Sequence, residues 1–194
     1  MKLFDDLKIA CNELAQWPGC WALCGGVAAA IYRDIPRFTA DIDFVIADHP
    51  DKPAKDIAEQ VTRTLSLKPI AGFITDEGGR LFSGQALVMG RRDTTSRYVG
   101  IDFLLPVLPW IPGAVLRAQS NLLDFGFAKL PTITVEDLLV AKLYAFQGTP
   151  SRVTDLDDIR SILQAQTGID MSYIRSQMTL LSLHSIPEID AFPK

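Results

Sequence analysis

The order of patterns along this chain predicts an α+β fold: a small mixed β-sheet with helices packed on it, followed by a helical C-terminal lobe. Two observations carry that expectation. Strictly alternating or short apolar runs bounded by Gly and Pro fall between residues 20 and 105, whereas from Thr134 onward the apolar spacing is helical. The boundary between the two parts is placed at 130/131, giving segments 1–130 and 131–194.

The elements follow in order. Leu3, Leu7, Ala10, Cys11 and Leu14 recur at helical spacing over 3–16, and Trp17-Pro18-Gly19 ends that helix. Cys20 to Cys24 reads as a buried strand, Gly25-Gly26 as its turn, and Val27 to Arg33 as a small-residue helix. Asp41 to Ile46 alternates as a strand, and 53–66 as a polar-faced helix. Two more strands are expected near 80–89 and 97–105, joined by a loop holding Arg91, Arg92 and Asp93. The helices on this sheet are expected on one face. The three prolines between Leu105 and Pro112 mark a connector, and helices are expected over roughly 134–147, 155–166 and 170–183.

The composition is that of a globular chain: 194 residues, 48% apolar and 22% charged. A net charge of -4 excludes a protein whose whole surface attracts nucleic acid, while leaving room for local basic patches and an RNA substrate. The longest run free of charge and proline, Gly19 to Tyr32, is short of the roughly 20 residues a membrane-spanning helix needs. Asp5 and Asp6 do not suit a signal peptide, and three cysteines (Cys11, Cys20, Cys24) without CxxC spacing suit reduced thiols. A cytoplasmic location is expected. His49 and His184, far apart, do not suggest a zinc site.

Asp41 and Asp43, two apart on a strand, point the same way, while Ile42, Phe44 and Ile46 anchor the opposite face. Such a pair either sits solvated at a strand end or shares a cation, and an all-oxygen acidic site suits magnesium. The chain holds a second Asp-x-Asp, Asp155/Asp157, on an expected helix. Gly25-Gly26, between a strand and a helix, either makes a tight turn or lets backbone amides approach a phosphate at a helix N-terminus. Lys142 has Leu138, Leu139, Ala145 and Phe146 as helical neighbours, so it either snorkels to an edge or reaches a buried anion. Arg80, Arg91, Arg92 and Arg97 form either a solvated hairpin or an edge for RNA phosphates.

Taken together, Leu23-Cys-Gly-Gly-Val-Ala-Ala-Ala30 and Arg37-Phe-Thr-Ala-Asp-Ile-Asp-Phe44 resemble the signature of the polymerase-β-like nucleotidyltransferases. The Arg-x-Thr-x-Asp-Ile-Asp form resembles the AbiEii-type branch, known for toxins of toxin–antitoxin and phage-defence pairs. Asp137-Leu138 with Lys142, and Arg152, Asp155 and Asp158, match two further segments of that branch, with Thr154 where it often has Lys. The resemblance asks for a third carboxylate on a neighbouring strand. Asp102, opposite an apolar face of Val99, Ile101, Phe103 and Leu105, supplies it; a structural ion pair is the other reading.

The resemblance then implies a function. Segment 1–130 would be the nucleotidyltransferase core and 131–194 a helical lobe closing the nucleotide cleft. Gly25, Gly26, Arg37, Thr39 and Lys142 would bind a nucleoside triphosphate. Asp41, Asp43 and Asp102 would be catalytic and hold Mg2+, two ions expected and Mn2+ as the substitute. A nucleoside monophosphate would pass to a hydroxyl of RNA or tRNA, protein or a small molecule, and a cognate antitoxin would be a partner. An inactive nucleotide-binding or protein-interaction module on the same fold is the alternative.

Overall fold

The structure is a computed structural model that describes residues 2–73, 85–91 and 100–192. Helix α1 (Lys2–Leu14) precedes β1 (Trp21–Cys24), α2 (Gly25–Tyr32), β2 (Ile42–Ile46) and α3 (Ala54–Thr64). Strands β3 (Lys68–Gly72), β4 (Leu87–Arg91) and β5 (Ile101–Leu104) follow, then α4 (Ile111–Ala118) and the short pair β6 (Leu122–Asp124) and β7 (Lys129–Pro131). The chain ends in α5 (Val135–Gly148), α6 (Val153–Ala165), α7 (Met171–Leu180) and α8 (Pro187–Asp190). Both the α+β class and the helical C-terminal run are as expected.

Five strands form one mixed sheet in the order β1-β2-β5-β4-β3. Only β2 and β5 run parallel among the described pairs; the others are antiparallel. Because successive side chains alternate between faces, each central strand feeds two cores. On one face Trp21, Leu23, Ile42, Phe44, Ile46, Ile101 and Phe103 pack under α1 and α3. There Phe44 stacks on Phe103 at 5.3 Å, and Trp21 meets Phe44 edge-on at 5.6 Å. On the other face Ala22, Cys24 and Val45 join α2 and α4 to α8 in a continuous core.

This corrects the expectation of helices on one face. Strands apolar on both sides, such as Trp21–Cys24 with every residue buried, need cover on both. Two smaller corrections follow. Arg91 ends β4 rather than lying in a loop, and the proline-rich connector runs into α4, since Pro112 stands in the first helical turn where no amide partner is needed. Arg80, Arg92, Asp93 and Arg97 lie outside the described residues.

Candidate active site

The two aspartates of separate motifs meet by strand register. Asp43 and Asp102 are direct partners across the parallel pair β2/β5, so both side chains leave the face that carries α2 and α5. Asp41 stands just before β2, and its Oδ1 accepts from the Gly100 amide at 3.0 Å. All three expected acids therefore gather at the N-terminal ends of β2 and β5.

Helix α2 starts directly from β1 and aims its first turn at these acids. Gly25 has φ +61, and an added Cβ would lie 1.8 Å from Asp43 Oδ2, so no other residue fits that step. The Gly26 amide donates to Asp43 Oδ2 at 3.3 Å. Thr39 packs against Gly26, and its hydroxyl donates to the Asp41 carbonyl at 3.3 Å. Burial, then the charge of Asp102, pushes the Asp43 carboxyl up to about 6, against the opposing effects of Lys142 and the Gly26 amide. Burial also raises Asp102, although Arg91 opposes it, and it lifts the Cys24 thiol far above its usual range, with Asp43 adding to the effect.

Lys142 does not snorkel. It is 6% exposed, and its Nζ lies 2.8 Å from both Asp155 Oδ1 and Asp158 Oδ2. Asp158 is fully buried and also takes a two-pronged contact from Arg37 at 2.6 and 2.7 Å and one from Arg33 at 2.6 Å. Arg33 reaches Asp157 as well, at 2.8 Å, and Arg152 reaches Asp155 at 2.6 Å. The buried anions that Lys142 reaches are thus in the chain itself.

Helix α5, which carries Lys142, is fixed by Thr134 as its N-cap, accepting from the Asp137 amide at 3.3 Å. Tyr32 at the end of α2 donates to the Ile133 carbonyl at 2.8 Å, so the glycine turn and the lysine helix are tied to each other. Replacing Lys142 with Met keeps the apolar stem. Asp155 retains Arg152 and Asp158 retains two arginines, so the loss of stability is expected to stay within about 1–2 kcal/mol. Triphosphate affinity, measured by calorimetry with magnesium, is expected to fall by about 1.5–3 kcal/mol; unchanged affinity would make Lys142 purely structural.

The residue types fit a divalent ion: three hard carboxylates, of which Asp43 is enclosed beside Asp102 with no ion-pairing side chain of its own among the described residues. Yet no group of three His, Cys, Asp or Glu side chains among the described residues is drawn together closely enough to hold an ion. The rotamers explain why. Asp41 turns to Gly100, Asp43 to Gly26, and Asp102 to Arg91 at 2.5 and 2.8 Å.

Arg33, Arg91 and Arg152 had no individual role assigned from sequence. The signal for Arg91 was its place two residues beyond Met89 on an alternating strand. A hollow of about 530 Å³ bordered by Asp48, Lys55, Gln85 and Leu105 opens at the other end of β2 and β5, away from Asp41, Asp43 and Asp102.

Comparison with known proteins gives a family and a fold. A model of the family described as "Nucleotidyl transferase AbiEii toxin, Type IV TA system" matches residues 9–183. No curated protein matches the sequence. Among solved structures, an antigenic nucleotidyltransferase-like protein from Paracoccidioides brasiliensis is similar at 18% identity with a TM-score of 0.52, over 91% of this chain and 86% of its own. The antibiotic-resistance factor ANT(2'')-Ia is similar at 10% identity with a TM-score of 0.59, over 92% and 91%. At these identities the likeness is one of fold. No helix among the described residues is long and apolar enough to cross a membrane.

Proposed function

Because the chain belongs to the family of AbiEii nucleotidyl transferase toxins, we propose that it moves a nucleoside monophosphate from a nucleoside triphosphate to a hydroxyl acceptor, as the toxin of a toxin–antitoxin pair. The observation that carries this reading is the register pairing of Asp43 with Asp102 beside the Gly25-Gly26 turn. Two carboxylates side by side, at a helix start with amides facing them, suit a phosphate chain that arrives with divalent ions.

In this reading Asp41, Asp43 and Asp102 would hold Mg2+, which supplies charge neutralisation on the phosphates and lowers the pKa of the attacking hydroxyl. Gly25 and Gly26, which bring the first turn of α2 close against Asp43 and Thr39, would offer backbone amides to phosphate oxygens. Arg37 and Lys142, held ready on Asp158, contribute positive charge to the triphosphate. Asp102, on the central strand β5, would hold the ion on the acceptor side or take the acceptor hydroxyl's proton. The hydroxyl oxygen bonds to the α-phosphorus as the bond to the β-phosphate oxygen breaks, and pyrophosphate leaves. Most of the catalysis is then positioning and charge neutralisation.

The test incubates the protein with each α-labelled triphosphate, magnesium and total cell extract, and locates the label. Transfer is expected with wild type. Asp102→Asn is expected to bind triphosphate with near wild-type affinity and lose nearly all single-turnover transfer. No label transferred from any triphosphate would overturn the reading, and wild-type transfer by the variant would remove Asp102 from the catalytic set.

A further inference from the structure

Among the described residues, Arg91 is the one cation that contacts a proposed metal-binding acid directly. Met89 of β4 pairs with Asp102 and Gly90 with Ile101, so the next step along the register brings Arg91 opposite Gly100. That glycine is what admits the guanidinium: an added Cβ would lie 2.4 Å from Arg91 Nη1 and 2.8 Å from Asp41 Oδ1. From there Nη1 and Nη2 fork onto both oxygens of Asp102 at 2.5 and 2.8 Å, and Nη1 also reaches the Gly90 carbonyl at 3.1 Å. A guanidinium fork of this kind engages both carboxylate oxygens at once. Asp102 therefore points at Arg91 rather than toward Asp43 and a shared ion.

We propose that Arg91 is a resident counter-cation that stands among the acids in the metal-free protein, must release Asp102 when a divalent ion binds, and so sets the affinity for that ion. This rests on the reading that Asp41, Asp43 and Asp102 hold the ion. A guanidinium and a divalent cation beside the same carboxylate repel each other, and the arginine is the one able to leave. The side chain of Arg91 is 35% exposed and that of Asp102 17%, so the pair opens toward water, into which the guanidinium can withdraw. Lys142 offers the contrast: its side chain is 8% exposed and closed between two acids, which suits a fixed charge.

The experiment titrates Mn2+ into the nucleotide-free full-length protein and follows the signal of the free ion by electron paramagnetic resonance. Arg91→Met is expected to bind Mn2+ about fivefold more tightly than wild type, the upper end of the scale for one lost solvent-accessible ion pair. Arg91→Gln should shift in the same direction, and Arg91→Met with Asp102→Asn should lose the gain. Wild-type affinity in both single variants, with weakened binding in Asp43→Asn, would overturn the role of Arg91 and leave the acids as the ion site. No Mn2+ binding by any form would overturn both readings. Loss of the native melting transition in both single variants would make Arg91 a structural clamp and likewise overturn the proposal.

Discussion

Asp43→Asn is expected to abolish nucleotidyl transfer while making the metal-free protein more stable at pH 8. The two effects have one cause. Asp43 is enclosed next to Asp102, and burial first, then the neighbouring charge, raises its carboxyl to about 6. A carboxyl whose folded pKa lies above its unfolded value of 3.8 makes the folded state bind the extra proton. Stability from this group is therefore highest near pH 4 and falls as pH rises through 6. The shift corresponds to about 2–3 kcal/mol at pH 8. Asparagine keeps the size and removes the charge, so in chelator the variant should melt about 5–10 °C higher than wild type at pH 8 and nearly level with it at pH 4. Equal melting at both pH values would show that Asp43 carries no strain, and transfer at the wild-type rate would place the chemistry elsewhere.

The opposite outcome is expected for Asp158→Asn, with the largest loss of stability of any single change considered. Asp158 is fully buried and anchors Lys142, Arg33 and Arg37. Removing one charge leaves three cations facing a neutral amide, and breaking a buried pair in this way costs about 3–5 kcal/mol. A fall in melting temperature of about 10 °C follows for a chain of this size. The acid limb gives a second check. Burial works against ionisation here, but the hydrogen bonds from Arg37 and Lys142 hold Asp158 down to about 2. With the folded pKa depressed, its contribution is present above pH 4 and lost as pH falls toward 2. Wild type should lose about 2 kcal/mol across that window through this group, and the variant should not. A variant that melts with wild type would show that the arginines and the lysine find other partners.

Strand β2 was legible because it alternates cleanly, whereas β3, mostly exposed and without alternation, went unread and β4 lies later than the expected 80–89. Ile42, Phe44 and Ile46 fall on one face and Asp43 on the other, as spacing alone requires. The glycine turn was legible because only a residue without Cβ fits against Asp43. What the sequence left open was pairing. That Asp43 faces Asp102 depends on register between strands 59 residues apart, which no local pattern encodes. Arg91 was read with its basic neighbours because a strand end and a loop start share the same short-range signature. Lys142 showed as a charge in an apolar stripe, but its partners Asp155 and Asp158 are on the next helix, and the third side of the cage comes from Arg33 and Arg37 near residue 35. The β6–β7 pair, three residues per strand, is too short for alternation to register.

The spread of the site along the chain has a consequence for when activity can arise. Its parts come from Gly25, Asp43, Asp102, Lys142 and Asp158, and the parallel β2/β5 pair closes only after α3, β3 and β4 have been traversed. Long closures of this kind are slow relative to local helix formation. A ribosome-bound chain that has emerged only as far as β5 has its acids in reach but lacks the buried acid that gathers Arg33 and Arg37. Helix α6 must appear before the cage can form. Catalytic competence is therefore expected only after α6 has emerged, so a chain stopped at β5 would do no chemistry in the cell that makes it.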